Sequence, residues 1–133
     1  MGLDQYAFAV RPHPLNTDTY IYWNDGDKCT EEQYDANVHK IAQWRKHPNL
    51  QGYMQKVYWS KGGEGNFNCT PVRVSFQDLK VLKEIVIEAE LPVTQGFFFG
   101  ESQPEDREDD LKFIDDAMKA IGQDMEIYYD SWW

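Results

Sequence analysis

The stretch of this chain that reads as a grip for a ligand is Trp44-Arg45-Lys46, followed at once by His47. An arginine offers a planar fork of donors that matches a carboxylate or phosphate two bonds at a time. If the residues from Thr30 onward are helical, Arg45 falls within about 20–40° of Tyr34, Val38 and Ile41 on the helix wheel, inside the apolar stripe. A guanidinium placed there needs a partner, because an uncompensated buried charge is costly. One reading is an ion pair with Asp4, Glu101 or Asp130. The other is an anion or carboxylate pocket, with Trp44 and Tyr6 shaping its walls, Lys46 adding charge, and Asp4 or Glu101 serving as acid or base. Lys46 and His47 are expected in solvent at the helix C-terminus, where cations satisfy free carbonyls. Beside Trp44 they would instead line a pocket mouth.

Other chemistry finds less support. His13, His39, His47, Cys29 and Cys69 contain no helical i, i+4 histidine pair and no close cysteine pair, so neither a metal nor a cofactor is expected. The two cysteines, 40 positions apart, are expected as free thiols. Gly62-Gly63-Glu64-Gly65 lacks the Lys-Ser/Thr of a phosphate-binding loop. Gly100-Glu101-Ser102 joins an expected strand to a helix start, a common phosphate position. Here Glu101, Glu105 and Asp106 would repel a phosphate and favour a cation or a basic partner, with Ser102 as the N-cap.

The charge is uneven. Of 23 acids and 13 bases, residues 1–60 hold seven acids and six bases, whereas residues 101–133 hold eleven acids and three bases. The densest run is Glu101, Glu105, Asp106, Glu108, Asp109 and Asp110. It is a solvated helix start, a surface for a protein partner, or a mimic of DNA charge. Such a field disfavours direct contact with nucleic acid, whose phosphates are bound by Lys and Arg. The mean hydropathy of −0.71 would suit a disordered acidic chain, but seven Phe, eight Tyr and five Trp argue for a folded one. No apolar run approaches the roughly 20 residues of a membrane helix, and no basic-then-apolar leader opens the sequence; a cytoplasmic protein is expected.

These residues need elements to position them. A chain of 133 residues without repeats or a linker is expected to be a single globular domain. Asp4–Val10 and residues 19–23 read as strands. Thr30 with Gln33 forms a capping box for a helix running to Pro48, and a shorter helix follows from Leu50 to about Tyr58. Pro71–Val74 is a short strand. Ser75 with Asp78 caps a second clear helix, with Phe76, Leu79, Leu82, Ile85, Val86 and Ala89 as its stripe. Gln95–Gly100 reads as a buried strand. Ser102 with Glu105 opens a third helix, with Leu111, Ile114, Ala117, Met118 and Ile121 inward and Gly122 as C-cap. Met125–Tyr129 is the last strand, leading to Trp132, expected packed, and Trp133, open as an anchor for a partner. The fold class is α+β, a small mixed or antiparallel sheet with about three main helices packed mostly on one face.

Four landmarks also stand in a familiar order. The opening Met1-Gly2-Leu3-Asp4-Gln5-Tyr6, the central Trp44-Arg45-Lys46, the run Gln95-Gly96-Phe97-Phe98-Phe99-Gly100 and the closing Tyr128-Tyr129 with Ser131-Trp132 span the chain. They resemble the MGLDMY start, WRK signature, GFFFG strand and YY-S-S-W end of a family of small tailed-phage and prophage proteins. Some members carry the automatic name phosphoglycerate kinase, but that enzyme has two large domains, and this sequence has no phosphate-gripping glycine loop. Pro48 and Gln51 stand where the family commonly has Asn and His. Members are mostly uncharacterised, so the resemblance implies little about function; an accessory protein acting inside the host cell is expected. With no catalytic motif, the leading expectation is a non-enzymatic binding protein for a host or phage protein. The alternatives are a small-molecule binder or enzyme centred on Arg45 and an acidic DNA mimic.

Overall fold

The computed structural model describes residues 2–12, 30–65, 67–96 and 99–133. The expected strand at residues 19–23 lies outside these, as do His13, Cys29, Phe97 and Phe98. Among the described residues the elements are β1 (Asp4–Val10), α1 (Glu31–Asn37), β2 (Val38–Arg45), α2 (Pro48–Ser60), β3 (Val72–Val74), α3 (Phe76–Ile87), α4 (Asp106–Gly122) and β4 (Glu126–Trp132). The strands form one sheet in the order β2-β1-β4-β3, and every neighbouring pair is antiparallel. The fold is α+β with an antiparallel sheet.

Strand alternation sends the two faces of the sheet to different environments. Ala7 and Ala9 of β1, Trp44 of β2, Val72 and Val74 of β3, and Ile127 and Tyr129 of β4 face the main core. There they meet Leu50, Met54 and Val57 of α2, Leu79, Leu82 and Val86 of α3, and Phe113, Ile114 and Ala117 of α4. The three longer helices thus lie on one face, as their apolar stripes require. The small Ala7 and Ala9 let the central strand approach them closely. On the opposite face a smaller cluster joins Val10, Val38 and Tyr128 with Phe8 and with Tyr34 of α1.

The two local capping boxes form as the sequence predicts, at Thr30 with Gln33 and at Ser75 with Asp78. The helix from Thr30, however, stops at Asn37, and residues 38–45 pair along the whole of β1 as a strand. The cause of the misreading is a bulge. Ala7 pairs with Ala42 but Phe8 with Lys40, leaving Ile41 as an extra residue in β2. The insertion breaks the two-residue alternation and turns both Ile41 and Ala42 toward the main core. An i, i+3, i+4 spacing of apolar residues results, which imitates a helix. Pro48 correspondingly opens α2 as its first residue, a position where its missing N–H is harmless.

Two further expectations are corrected. Gln95, Gly96, Phe99 and Gly100 are not in a strand; the Phe99 N–H bonds the Gly96 carbonyl at 3.1 Å, and the ring packs edge-on against Trp133 at 5.4 Å. The helix expected from Ser102 begins only at Asp106, so Gly122 is its last residue and not its cap.

Candidate functional site

The Arg45-centred group does not assemble. Because residues 38–45 are a strand, Trp44 and Arg45 point to opposite faces. Trp44 is core, T-stacked on Phe113 at 5.0 Å. Arg45 has a side chain 67% exposed, and its Nε lies 3.7 Å from the Asp4 carboxylate, its cross-strand neighbour. Of the partners expected for it, Asp4 is the one it meets, in a surface pair of little energetic weight. Tyr6 sits on the outer sheet face with Phe8 and Trp132. Lys46 is exposed with a positive φ of 55°, and Glu101 is exposed. The six residues therefore share no pocket.

The acidic run is likewise divided. Glu105, Glu108 and Asp109 are exposed, but Asp106 is half-buried and Asp110 is buried, one helical turn apart on the inner side of α4. Asp106 and Asp110 are thus not part of a partner surface. Trp133 is not open either: its ring lies against Phe67 and Phe99, and Asn68 holds its backbone N–H and carbonyl at 3.0 Å each. Of the terminal pair the exposed tryptophan is Trp132, at 55%. Alternation puts Tyr129 and Ser131 in the core, so Trp132 must face the outer side.

What α4 turns inward meets is His47, which is 2% exposed and not in solvent as expected. His47 Nε2 lies 2.8 and 3.1 Å from the two carboxylate oxygens of Asp110, itself 1% exposed. His47 Nδ1 lies 2.7 Å from Ser102 Oγ. The Asn49 N–H donates to the same Ser102 oxygen at 3.1 Å. Ser102 is therefore a helix cap, but of α2, whose second residue is Asn49, and not of the helix that follows it in sequence. Asp106 Oδ2 stands 3.5 Å from His47 Nδ1 and accepts the Gln103 N–H at 2.7 Å.

The backbone of His47 is clamped as tightly as its ring. The Gln5 side chain accepts the His47 N–H at 2.9 Å and donates to the His47 carbonyl at 3.0 Å. The same amide donates to the Tyr129 hydroxyl at 2.8 Å, and that hydroxyl donates to Gln51 Oε1. A buried polar network thus runs from β4 through β1 to the junction of α2 and α4. Gln51 ends it as an acceptor.

Burial raises the pKa of Asp110 above the ordinary carboxylate value, opposed by the bonds and charge of His47 and reinforced by the charge of Asp106. The Trp44 indole N–H, outside ordinary hydrogen-bond geometry, adds a weaker favourable contact to the same carboxylate. Burial also raises the Tyr129 hydroxyl well above its usual value.

This cluster forms one wall of a pocket of about 440 Å³. His47, Asn49, Ser102 and Asp106 supply its polar side; Val86, Ala89, Leu91 and Pro104 supply the apolar side, and Arg107 stands among them. The volume lies within the range of small-molecule sites. Arg107 is exposed and donates to the Ile87 carbonyl at 3.2 Å, which leaves most of its fork unused. Among the described residues, no group of three or more His, Cys, Asp or Glu is placed to hold a metal ion.

Sequence reading gave His47 its composition but not its burial, and it missed Asn49, Asp110 and Arg107 as pocket residues. The His-Pro pair at a helix start and the Asp106, Asp110 spacing were visible in the sequence. Nothing local joined them. Comparison of the chain with protein-family models, curated proteins and solved structures finds no match. No helix among the described residues is long and apolar enough to cross a membrane.

Proposed function

We propose that this chain is a small-molecule-binding protein, of the tailed-phage type its sequence landmarks resemble, whose ligand occupies the pocket between the starts of α2 and α4 and the end of α3. The observation that carries the reading is a concave site in which the Ser102 hydroxyl is held between His47 and the N-terminus of α2, opposite an apolar wall and beside the unused fork of Arg107. This arrangement favours a ligand with a carboxylate or similar anion for Arg107, a polar group for Ser102 and a short apolar body against Val86 and Leu91.

A thermal-shift series with small mono- and dicarboxylic acids, followed by the same series on Arg107→Ala, tests it. Stabilisation by at least one acid, weakened in the variant, is expected. If no acid raises the melting temperature, or if Arg107→Ala responds as the parent does, the reading is wrong.

A second reading retains a host or phage protein as the partner, inside the infected cell. It is favoured by the exposed acids Glu101, Glu105, Glu108 and Asp109 at and before the start of α4. A DNA mimic is weakened, because two acids of the run face inward.

A further inference from the structure

We infer that Ser102 is an acyl-accepting nucleophile, with His47 as its general base and Asp110 as the residue that orients the base. The inference takes its substrate from the pocket reading above, but its chemistry stands on the side chains themselves.

One assignment of the hydrogen bonds activates the serine. As a carboxylate Asp110 accepts, and the His47 tautomer that donates Nε2–H to it leaves the Nδ1 lone pair facing Ser102. The Asn49 N–H already donates to Ser102 Oγ. In that tautomer the serine proton is directed at His47 Nδ1, 2.7 Å away. Nucleophile, base and orienting acid stand in one chain within hydrogen-bond reach, the arrangement by which a weak hydroxyl nucleophile is activated. Either ring nitrogen can serve as the base, since the carboxylate on the other sets the tautomer.

A purely structural cap does not call for this construction. Capping α2 needs only a lone pair of Ser102. Burying Asp110 and His47 behind it costs desolvation that an apolar pair of the same volume would avoid. The network also seals the base from solvent while Ser102 stays half-buried on the pocket wall. Gln5 fixes the His47 backbone on both sides, which holds the imidazole in register with the serine. The positive end of the 13-residue α2 reaches Ser102 Oγ through the Asn49 N–H, which eases loss of the serine proton.

The substrate class is a carboxylic ester whose acyl part carries a second carboxylate for Arg107. Ser102 Oγ bonds to the ester carbonyl carbon as its proton passes to His47 Nδ1. The carbon–alkoxide bond then breaks, and the departing alcohol takes that proton from His47. Water repeats the sequence: it gives a proton to His47 and bonds to the acyl carbon, the bond from that carbon to Ser102 Oγ breaks to release the free acid, and the proton returns from His47 to Ser102 Oγ. No electrons are exchanged with any other group.

The test uses the full chain with p-nitrophenyl acetate, mono-p-nitrophenyl glutarate and a fluorophosphonate, read by nitrophenolate release and by peptide-mapped mass. An adduct on Ser102 is expected, absent from Ser102→Ala. His47→Gln should slow acylation roughly a hundredfold, the usual share of a general base. Arg107→Ala should lower the preference for the glutarate ester over the acetate roughly tenfold, as loss of one charge-assisted contact does. Circular dichroism checks that each variant is folded. The Ser102→Cys variant gives a second route: its new thiol should acylate faster than exposed Cys69 in the same molecule. No adduct at position 102 in either the parent or the cysteine variant, or equal rates in parent and His47→Gln, overturns the inference. An acid-stabilised protein that never acylates keeps the pocket and removes the nucleophile. A Ser102 adduct in a protein that binds no acid keeps the nucleophile and removes the pocket reading.

Discussion

Removing the Asp110 carboxylate tests whether the His47 cluster is a tightly coupled unit. In Asp110→Ala, His47 Nε2 loses contacts of 2.8 and 3.1 Å in a site where both residues are almost fully buried. Hydrogen bonds to a charged group contribute roughly 1.5–3 kcal/mol, and a buried donor left without a partner costs a further 1–3 kcal/mol or so. Relief of the cost of burying Asp110 works the other way, since burial disfavours its charged form. The net expectation is a loss of about 3 kcal/mol, near the lower end for breaking a buried pair and a large part of a typical domain's stability. The surface pair offers an internal control: Asp4→Ala, which removes a contact at 3.7 Å to an exposed Arg45, should cost under about 1 kcal/mol. Urea unfolding of the parent, Asp110→Ala, His47→Leu and the double variant measures both the loss and the coupling between the two positions. Coupling of about 2 kcal/mol is expected, because with both partners gone no polar group remains stranded between them. A loss of less than about 1 kcal/mol in Asp110→Ala, or coupling below about 0.5 kcal/mol, would refute this reasoning.

The two C-terminal tryptophans should behave oppositely to the expectation from sequence: Trp133→Ala should cost about 2 kcal/mol or more through lost packing on Phe67 and Phe99, and Trp132→Ala less than about 1 kcal/mol by chemical unfolding. Equal losses would contradict the assigned faces. Burial, and then the charge of Asp78, push the Tyr53 hydroxyl from 10.0 up to about 12. Its contribution to stability is thus complete below pH 10 and disappears as the pH rises through about 12, to a limit of roughly 2–3 kcal/mol. Unfolding of Tyr53→Phe followed across that window should show a shallower alkaline decline than the parent; an identical decline would show that Tyr53 ionises freely in the folded chain. Burial likewise raises Tyr34 and Tyr129, so part of the decline remains in the variant.

Where the determining contacts lie close in the chain, the sequence carried the structure. The Thr30–Gln33 and Ser75–Asp78 boxes are three residues across and formed as read. The period of Leu79, Leu82 and Val86 found the buried side of α3, and β1 matches its reading from Asp4 to Val10. The α+β class followed from these elements. The reading failed where a long-range partner overrode a local pattern. Val38–Arg45 became a strand because β1 offers it a full ladder, and the bulged Ile41 had disguised its alternation. Arg45 lost its inferred burial with the helix it was placed on.

Composition and spacing alone determined an acidic, aromatic-rich α+β chain with its dense charge after Gly100. Only the tertiary structure decided which acids of that charge are on the surface and which turn inward. His47 is 55 positions from Ser102 and 63 from Asp110, and no period or motif spans such distances. They meet because α2 and α4 pack on the same face of the sheet and the β2–α2 junction delivers His47 between them. The same packing turns Asp106 and Asp110 away from water while Glu105, Glu108 and Asp109, one or two residues off on the helix wheel, remain in it. A difference of about 100° per residue in facing direction separates solvent charge from a buried acid–base pair.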